Sequence, residues 1–141
     1  MPEIADDQIP FGSGMGSGST EEPAVAPRLA QHIVLRGDLG WPAGPLMTQA
    51  AHCSVAALET HRNLPQTEEY LSDLDRMRKV TWKAKNEAWL QKVADRLDEA
   101  GVEYRMWTEQ PENINVGLAT RPATKEETQS VWKGNGVGIW R

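Results

Sequence analysis

The apolar run His32-Ile33-Val34-Leu35-Arg36 stops at Gly37-Asp38, and a loop of glycine and proline separates it from a long stretch with helical periodicity. That junction constrains the chain more than any other stretch. A short unbroken apolar run bounded by turn residues reads as a buried strand. Pro45 suits the first position of the following helix, where its missing N–H costs nothing. Leu46, Met47, Ala50, Ala51, Ser54, Ala57, Leu58 and His61 recur at helical spacing as far as about His61. Most of these side chains are small, which lets a helix lie close against a sheet. A buried strand feeding a close-packed helix through a short loop is the start of an α/β layer structure.

The remaining pattern extends it. Thr67 is placed to cap a short helix through Tyr70, Leu71 and Leu74. A second strand fits Arg78 to Ala84, with Val80, Trp82 and Ala84 on one side and Lys79, Thr81 and Lys83 on the other. Asn86 is a good N-cap, Leu90, Val93, Ala94 and Leu97 form a helical stripe, and Gly101 suits a left-handed C-cap. Strands are expected over Glu103 to Trp107 and Asn115 to Thr120. They follow one another without a helix and should pair antiparallel. Thr124 to Glu127 is a capping box opening a last helix toward Trp132, and the glycines from Gly134 to Gly138 predict a loose C-terminus. The order predicts an α/β fold: a single domain with a mixed sheet of about four strands covered by helices.

Residues 1–28 contrast with this. Gly12 to Thr20 alternates glycine with serine and methionine, and Pro10, Pro23 and Pro27 flank it. Such a segment cannot bury enough apolar surface to offset its ordering entropy, so residues 1–28 are expected to be a disordered acidic Gly/Ser/Pro tail and residues 29–141 the folded domain. Of the net charge of −5, the tail holds −4 (Glu3, Asp6, Asp7, Glu21 and Glu22 against Arg28), leaving 15 acidic and 14 basic residues in the domain. A near-neutral domain does not exclude an RNA partner, which needs only local clustering of cations. The acidic N-terminus argues against a secretory signal or a mitochondrial presequence, and no apolar run reaches the roughly 18 residues of a spanning helix. A lone Cys53 and the absence of any Cys/His cluster with zinc spacing suggest a reducing compartment, a cytoplasmic location, no metal and no other cofactor.

Three groups could carry chemistry. The loop holding Gly37, Gly40 and Gly44 enters a helix N-terminus and is either a tight turn or a cradle whose backbone N–H groups approach an anion; its spacing matches neither the dinucleotide fingerprint nor a P-loop. On the helix, Gln49 and His52 are three apart and can point the same way, while Cys53 reads as a small buried residue. Arg76, Arg78, Lys79, Lys83 and Lys85 follow with no acid from Arg76 to Lys85, either a solvated strand edge or an RNA-backbone contact. The loop Glu109-Gln110-Pro111-Glu112-Asn113 gathers acids and amides beside Trp107.

These residues in this order resemble the type-two peptidyl-tRNA hydrolases. Val34-Leu35-Arg36 with Asp38-Leu39, the glycine loop, and Gln49 with His52 resemble the family's opening, and Arg78-Lys79-Val80 its second strand. Trp41-Pro42-Ala43-Gly44, Thr60-His61-Arg62, Arg76-Met77-Arg78, Glu109 to Ile114 and Arg121-Pro122 most resemble the branch called peptidyl-tRNA hydrolase domain-containing protein, over residues 31 to about 133. The resemblance implies a single domain with a four-stranded mixed sheet and helices on both faces, and cleavage of the ester joining a peptide to the tRNA 3′ end. Typical members use a lysine from the glycine loop with an aspartate and a threonine after the third strand. Here Trp41 to Pro45 contains no lysine, and Glu109 and Asn113 fall at the carboxylate and hydroxyl positions.

On that basis the expected catalytic group is Glu109, Asn113, His52 and Gln49, with Gly37, Gly40 and Gly44 as the oxyanion loop and Arg76, Arg78 and Lys79 holding RNA phosphates. The expected function is hydrolysis of peptidyl-tRNA, or of an N-blocked aminoacyl-tRNA, with tRNA as partner and no membrane. The competing readings are a catalytically weak or inactive tRNA-binding module on the same fold, or a protein-interaction domain without nucleic acid.

Overall fold

In the computed structural model, residues 28–141 are described; the expected tail lies, but for Arg28, outside them. Five strands form one mixed sheet: β1 Gln31–Arg36, β2 Lys79–Ala84, β3 Tyr104–Glu109, β4 Ile114–Thr120 and β5 Val137–Ile139, in the order β3-β4-β1-β2-β5. β1 and β2 are parallel, with Leu35 opposite Lys83, and every other pairing is antiparallel. The helices are α1 Ala43–Thr60, α2 Pro65–Leu71, α3 Glu87–Ala100 and α4 Lys125–Thr128, with a 3-10 turn over Leu74–Arg76. None of them is long and apolar enough to cross a membrane.

Strand alternation divides the core in two. Val34 and Leu118 point to the face where Leu90, Val93, Ala94 and Leu97 of α3 pack, all fully buried. Ile33, Leu35 and Ala119 point to the other face, where Cys53 and Ala57 of α1 close over them. Helices therefore cover both faces. The close approach of α1 rests on small side chains, and on Gly117 of β4, where a Cβ would lie 3.4 Å from Cys53 Sγ.

The predicted signals at Asn86, Gly101 and Thr124 operate as expected. Asn86 accepts the Trp89 N–H, Gly101 adopts φ 73 at the end of α3, and Thr124 and Glu127 complete a capping box.

Four expectations need correction. The sheet has five strands rather than four, because the segment expected to be loose supplies β5, which pairs with β2 through Ala84 and Val137. Gly136 makes this possible: any Cβ there would overlap the indole of Trp89, so the turn seats directly on α3. The last helix ends at Thr128 rather than near Trp132. α1 begins at Ala43, with Pro42 as N-cap and Pro45 two residues into the first turn, where its N–H would still have no intrahelical partner. α2 begins at Pro65 after Leu64, so Thr67 is a buried residue inside the helix and not its cap.

Candidate active site

Because β3 runs parallel to β1 and β2, the carboxyl ends of all three strands lie along one edge of the sheet. Open α/β sheets bind their ligands outside that edge. Glu109 ends β3, Arg36 ends β1 and leads into the Gly37 loop, and Lys83 lies at the end of β2.

Three aromatic and polar side chains meet there. The His52 ring stacks on Trp107 with centroids 4.8 Å apart and planes within 14°. Trp107 Nε1–H donates to Glu109 Oε1 at 3.1 Å. Trp107 and Glu109 are two apart in β3 and share a face by strand alternation. The register between β3 and β4 slips between Trp107 and Thr108, with Val116 the extra residue on β4. Thr108 then donates to Asn115 Oδ1 at 2.7 Å. Asn115 O accepts from Arg36 Nη1 at 3.1 Å, and Arg36 grips Asp38 through two bonds of 3.0 Å. The Arg36 guanidinium holds the Asp38 carboxyl below the usual carboxylate range.

Asn113 closes the loop after Glu109. It adopts φ 59, which asparagine tolerates better than most residues, and its N–H donates to Glu109 O at 2.7 Å. Its side-chain oxygen accepts from Gln110 Nε2 at 3.2 Å on the exposed side of the loop. Gln49 lies one helical turn nearer the carboxyl edge than Cys53. It is buried, and its Oε1 has no hydrogen-bond partner among the described residues.

The three loop glycines differ. The Gly37 N–H is already spent on Ala84 O at 2.8 Å. Gly40 sits at φ 71 with open space around it. Gly44 falls in the first turn of α1, where N–H groups have no intrahelical acceptor.

The expected RNA-contacting residues lie elsewhere. Arg76, Arg78 and Lys79 are at or before the amino end of β2, about 16 Å of strand from the carboxyl edge. Lys79 Nζ donates to Gln31 Oε1 at 2.8 Å inside a network that includes Ser54, and burial lowers its pKa. Arg76 pairs with Asp73 at 3.4 Å. Arg78 lines a cleft of about 700 Å³ whose walls include His32, Trp82 and Trp132. Sequence reasoning missed the His52–Trp107 stack and the Trp82–Trp132 stack (4.1 Å, 5°); each joins residues dozens apart with no local signature. Among the described residues no group of His, Cys, Asp and Glu could hold a metal ion.

The fold is that of a small α/β protein with Glu109, Asn113 and His52 near the carboxyl edge of its sheet. Residues 29–134 match the family described as peptidyl-tRNA hydrolase PTH2, and the chain belongs to that family of hydrolases. A human protein named "Putative peptidyl-tRNA hydrolase PTRHD1" is 46% identical over 116 residues, 79% of this chain and 81% of its own. The mouse protein of the same name is 44% identical over 117 residues, with the same coverage.

Proposed function

We propose that the protein hydrolyses the ester joining a peptide, or an N-blocked amino acid, to the 3′ end of tRNA. The support for this reading is Glu109: one carboxylate oxygen is fixed by Trp107, and the other has no hydrogen-bond partner among the described residues. An oriented carboxylate with a free oxygen can take a proton from water. The water oxygen attacks the ester carbonyl carbon, and the carbonyl electron pair moves onto its oxygen. The Asn113 NH₂ and the N–H groups of Gly40 and Gly44 are the donors for that oxyanion. The carbon–oxygen bond to the ribose then breaks, and Glu109 returns its proton to the ribose oxygen. The products are a peptide carboxylic acid and free tRNA. His52 walls the site against Trp107, and the buried Gln49 oxygen accepts from a water near the edge. Arg76 and Arg78 meet phosphates further along the acceptor arm.

Incubating purified protein with peptidyl-tRNA and following free tRNA tests this. Slow turnover is expected. Tight tRNA binding with no turnover would instead favour a binding module on the same fold.

A further inference from the structure

A second polar concavity lies along the same edge, on the far side of β1 from Glu109. It is a cleft of about 410 Å³ between the carboxyl end of β2, the Gly37 turn and the chain entering β5. Lys83, Lys85 and Asn135 supply its polar side chains, Gly37, Gly136 and Gly138 also line it, and no carboxylate does.

Two features make it more than a pair of surface lysines. The first is construction. The Lys83 stem crosses directly over Gly37, where a Cβ would fall 2.5 Å from Lys83 Cδ and 2.6 Å from Cγ. Its ammonium lies 4.9 Å over the Trp140 ring, so the long side chain is held along a defined path. Lys85 is fixed at its backbone, its N–H donating to Gly136 O at 2.8 Å. The second feature is charge. Among the described residues neither ammonium has a carboxylate partner. Two like charges on one cleft repel, and a bound anion removes that cost. Gly138 has open space where a Cβ would stand, so an anion can approach the backbone there.

We propose that this cleft binds a backbone phosphate of the single-stranded 3′ end of tRNA, gripped by Lys83 and Lys85. The proposal rests on the hydrolase reading above and names the contact that holds substrate there. β2 and β3 are three strand spacings apart, about 14 Å, a gap the last few nucleotides can bridge between Lys83 and the ester at Glu109. Arg76 and Arg78, at the opposite end of β2, meet only a longer RNA.

The test uses the full chain with an N-acetylaminoacyl ester of a short oligonucleotide carrying the tRNA 3′ sequence, and the same ester of adenosine, which has no phosphate. Lys83→Gln/Lys85→Gln should raise KM for the oligonucleotide ester about 10-fold or more, leaving kcat unchanged. It should leave kcat/KM for the adenosine ester unchanged. The slope of log affinity for the deacylated oligonucleotide against log salt should flatten by about 0.7 per lost contact. The exposed Lys85→Gln alone should give about half that change, which covers the case where altering Lys83 disturbs Gly37. Arg76→Ala/Arg78→Ala should weaken full-length tRNA and not the oligonucleotide. If neither ester is hydrolysed while the oligonucleotide binding still depends on both lysines, the hydrolase reading fails and the phosphate site stands. Equal oligonucleotide affinity in wild type and double variant, or no binding by wild type, overturns the phosphate site.

Discussion

His52 and Trp107 lie parallel with ring centroids 4.8 Å apart, and the pair joins α1 to the strand that carries Glu109. An offset pair of this kind is worth about 1 kcal/mol beyond its buried area. Its larger consequence is directional, because the same indole donates its N–H to Glu109. A helix-borne imidazole thereby sets the position of a carboxylate two strands from β1.

Trp107→Phe separates those two effects. It keeps a ring for His52 and removes the donor to Glu109, so kcat on peptidyl-tRNA should fall several-fold with little change in thermal stability. Glu109→Gln should cost about 10²-fold or more in kcat, the scale of a positioned acid or base. Full activity in Glu109→Gln would remove that residue from the mechanism.

The acid response should be governed in part by His32. Trp82 Nε1–H donates to His32 Nδ1 at 3.0 Å, which leaves the ring proton on Nε2. Burial, aided by the positive charge of Arg78, pushes its pKa down to about 4. Arg28, Lys125 and Glu126 line the same cleft. An unfolded histidine takes up its proton near pH 6.5, before the folded one does. Stability is therefore complete above that pH and is lost as pH falls from about 6.5 to about 4, by about 3 kcal/mol for this group. The NMR shifts of the His32 ring should stay those of the neutral form down to about pH 4, and His32→Gln should make the melting-temperature loss across that window shallower.

Cys53 should play no part in the chemistry. It is fully buried, and burial pushes its thiol up to about 12. Thiol reagents should label the native protein only through unfolding. Cys53→Ser should leave kcat unchanged while costing about 1–2 kcal/mol for a buried hydroxyl.

What the sequence conveyed was the local part of the fold. Asn86, Gly101 and Thr124 announce their helix ends because a cap depends on three or four neighbouring residues. The stripe Leu90, Val93, Ala94 and Leu97 announces its face for the same reason. β5 gave no such signal: Val137-Gly138-Ile139 is too short and glycine-interrupted to read as a strand, and it forms because Gly136 fits beneath Trp89. In the site, the closeness of Glu109 and Asn113 was legible from one loop. The division of the basic run was not, since it depends on strand direction: Lys79 turns inward to Gln31 while Lys83 and Lys85 face the carboxyl edge.

Gly117 links β1 to the strand that carries Glu109, and adding one methyl there should disturb both strands. It pairs with Leu35 on one side and Trp107 on the other. A Cβ would lie 2.6 Å from Val34 O, 2.7 Å from Leu35 Cδ2 and 3.4 Å from Cys53 Sγ. The Leu35 methyl can swing away by changing rotamer, but the Val34 carbonyl belongs to the central strand and cannot move without pulling β1 from β4. Gly117→Ala should therefore destabilise by about 1–3 kcal/mol, a fall in melting temperature of about 4–12 °C at this size. Leu35→Ala, which clears the side-chain contact, should not rescue it: the double variant should stay less stable than Leu35→Ala alone by most of the Gly117→Ala loss. Recovery in the double variant would identify the leucine, rather than the carbonyl, as the obstacle. Because the displaced strand also sets the register of Trp107, kcat measured well below the lowered melting temperature should fall in Gly117→Ala, whereas Leu35→Ala alone should leave it close to wild type.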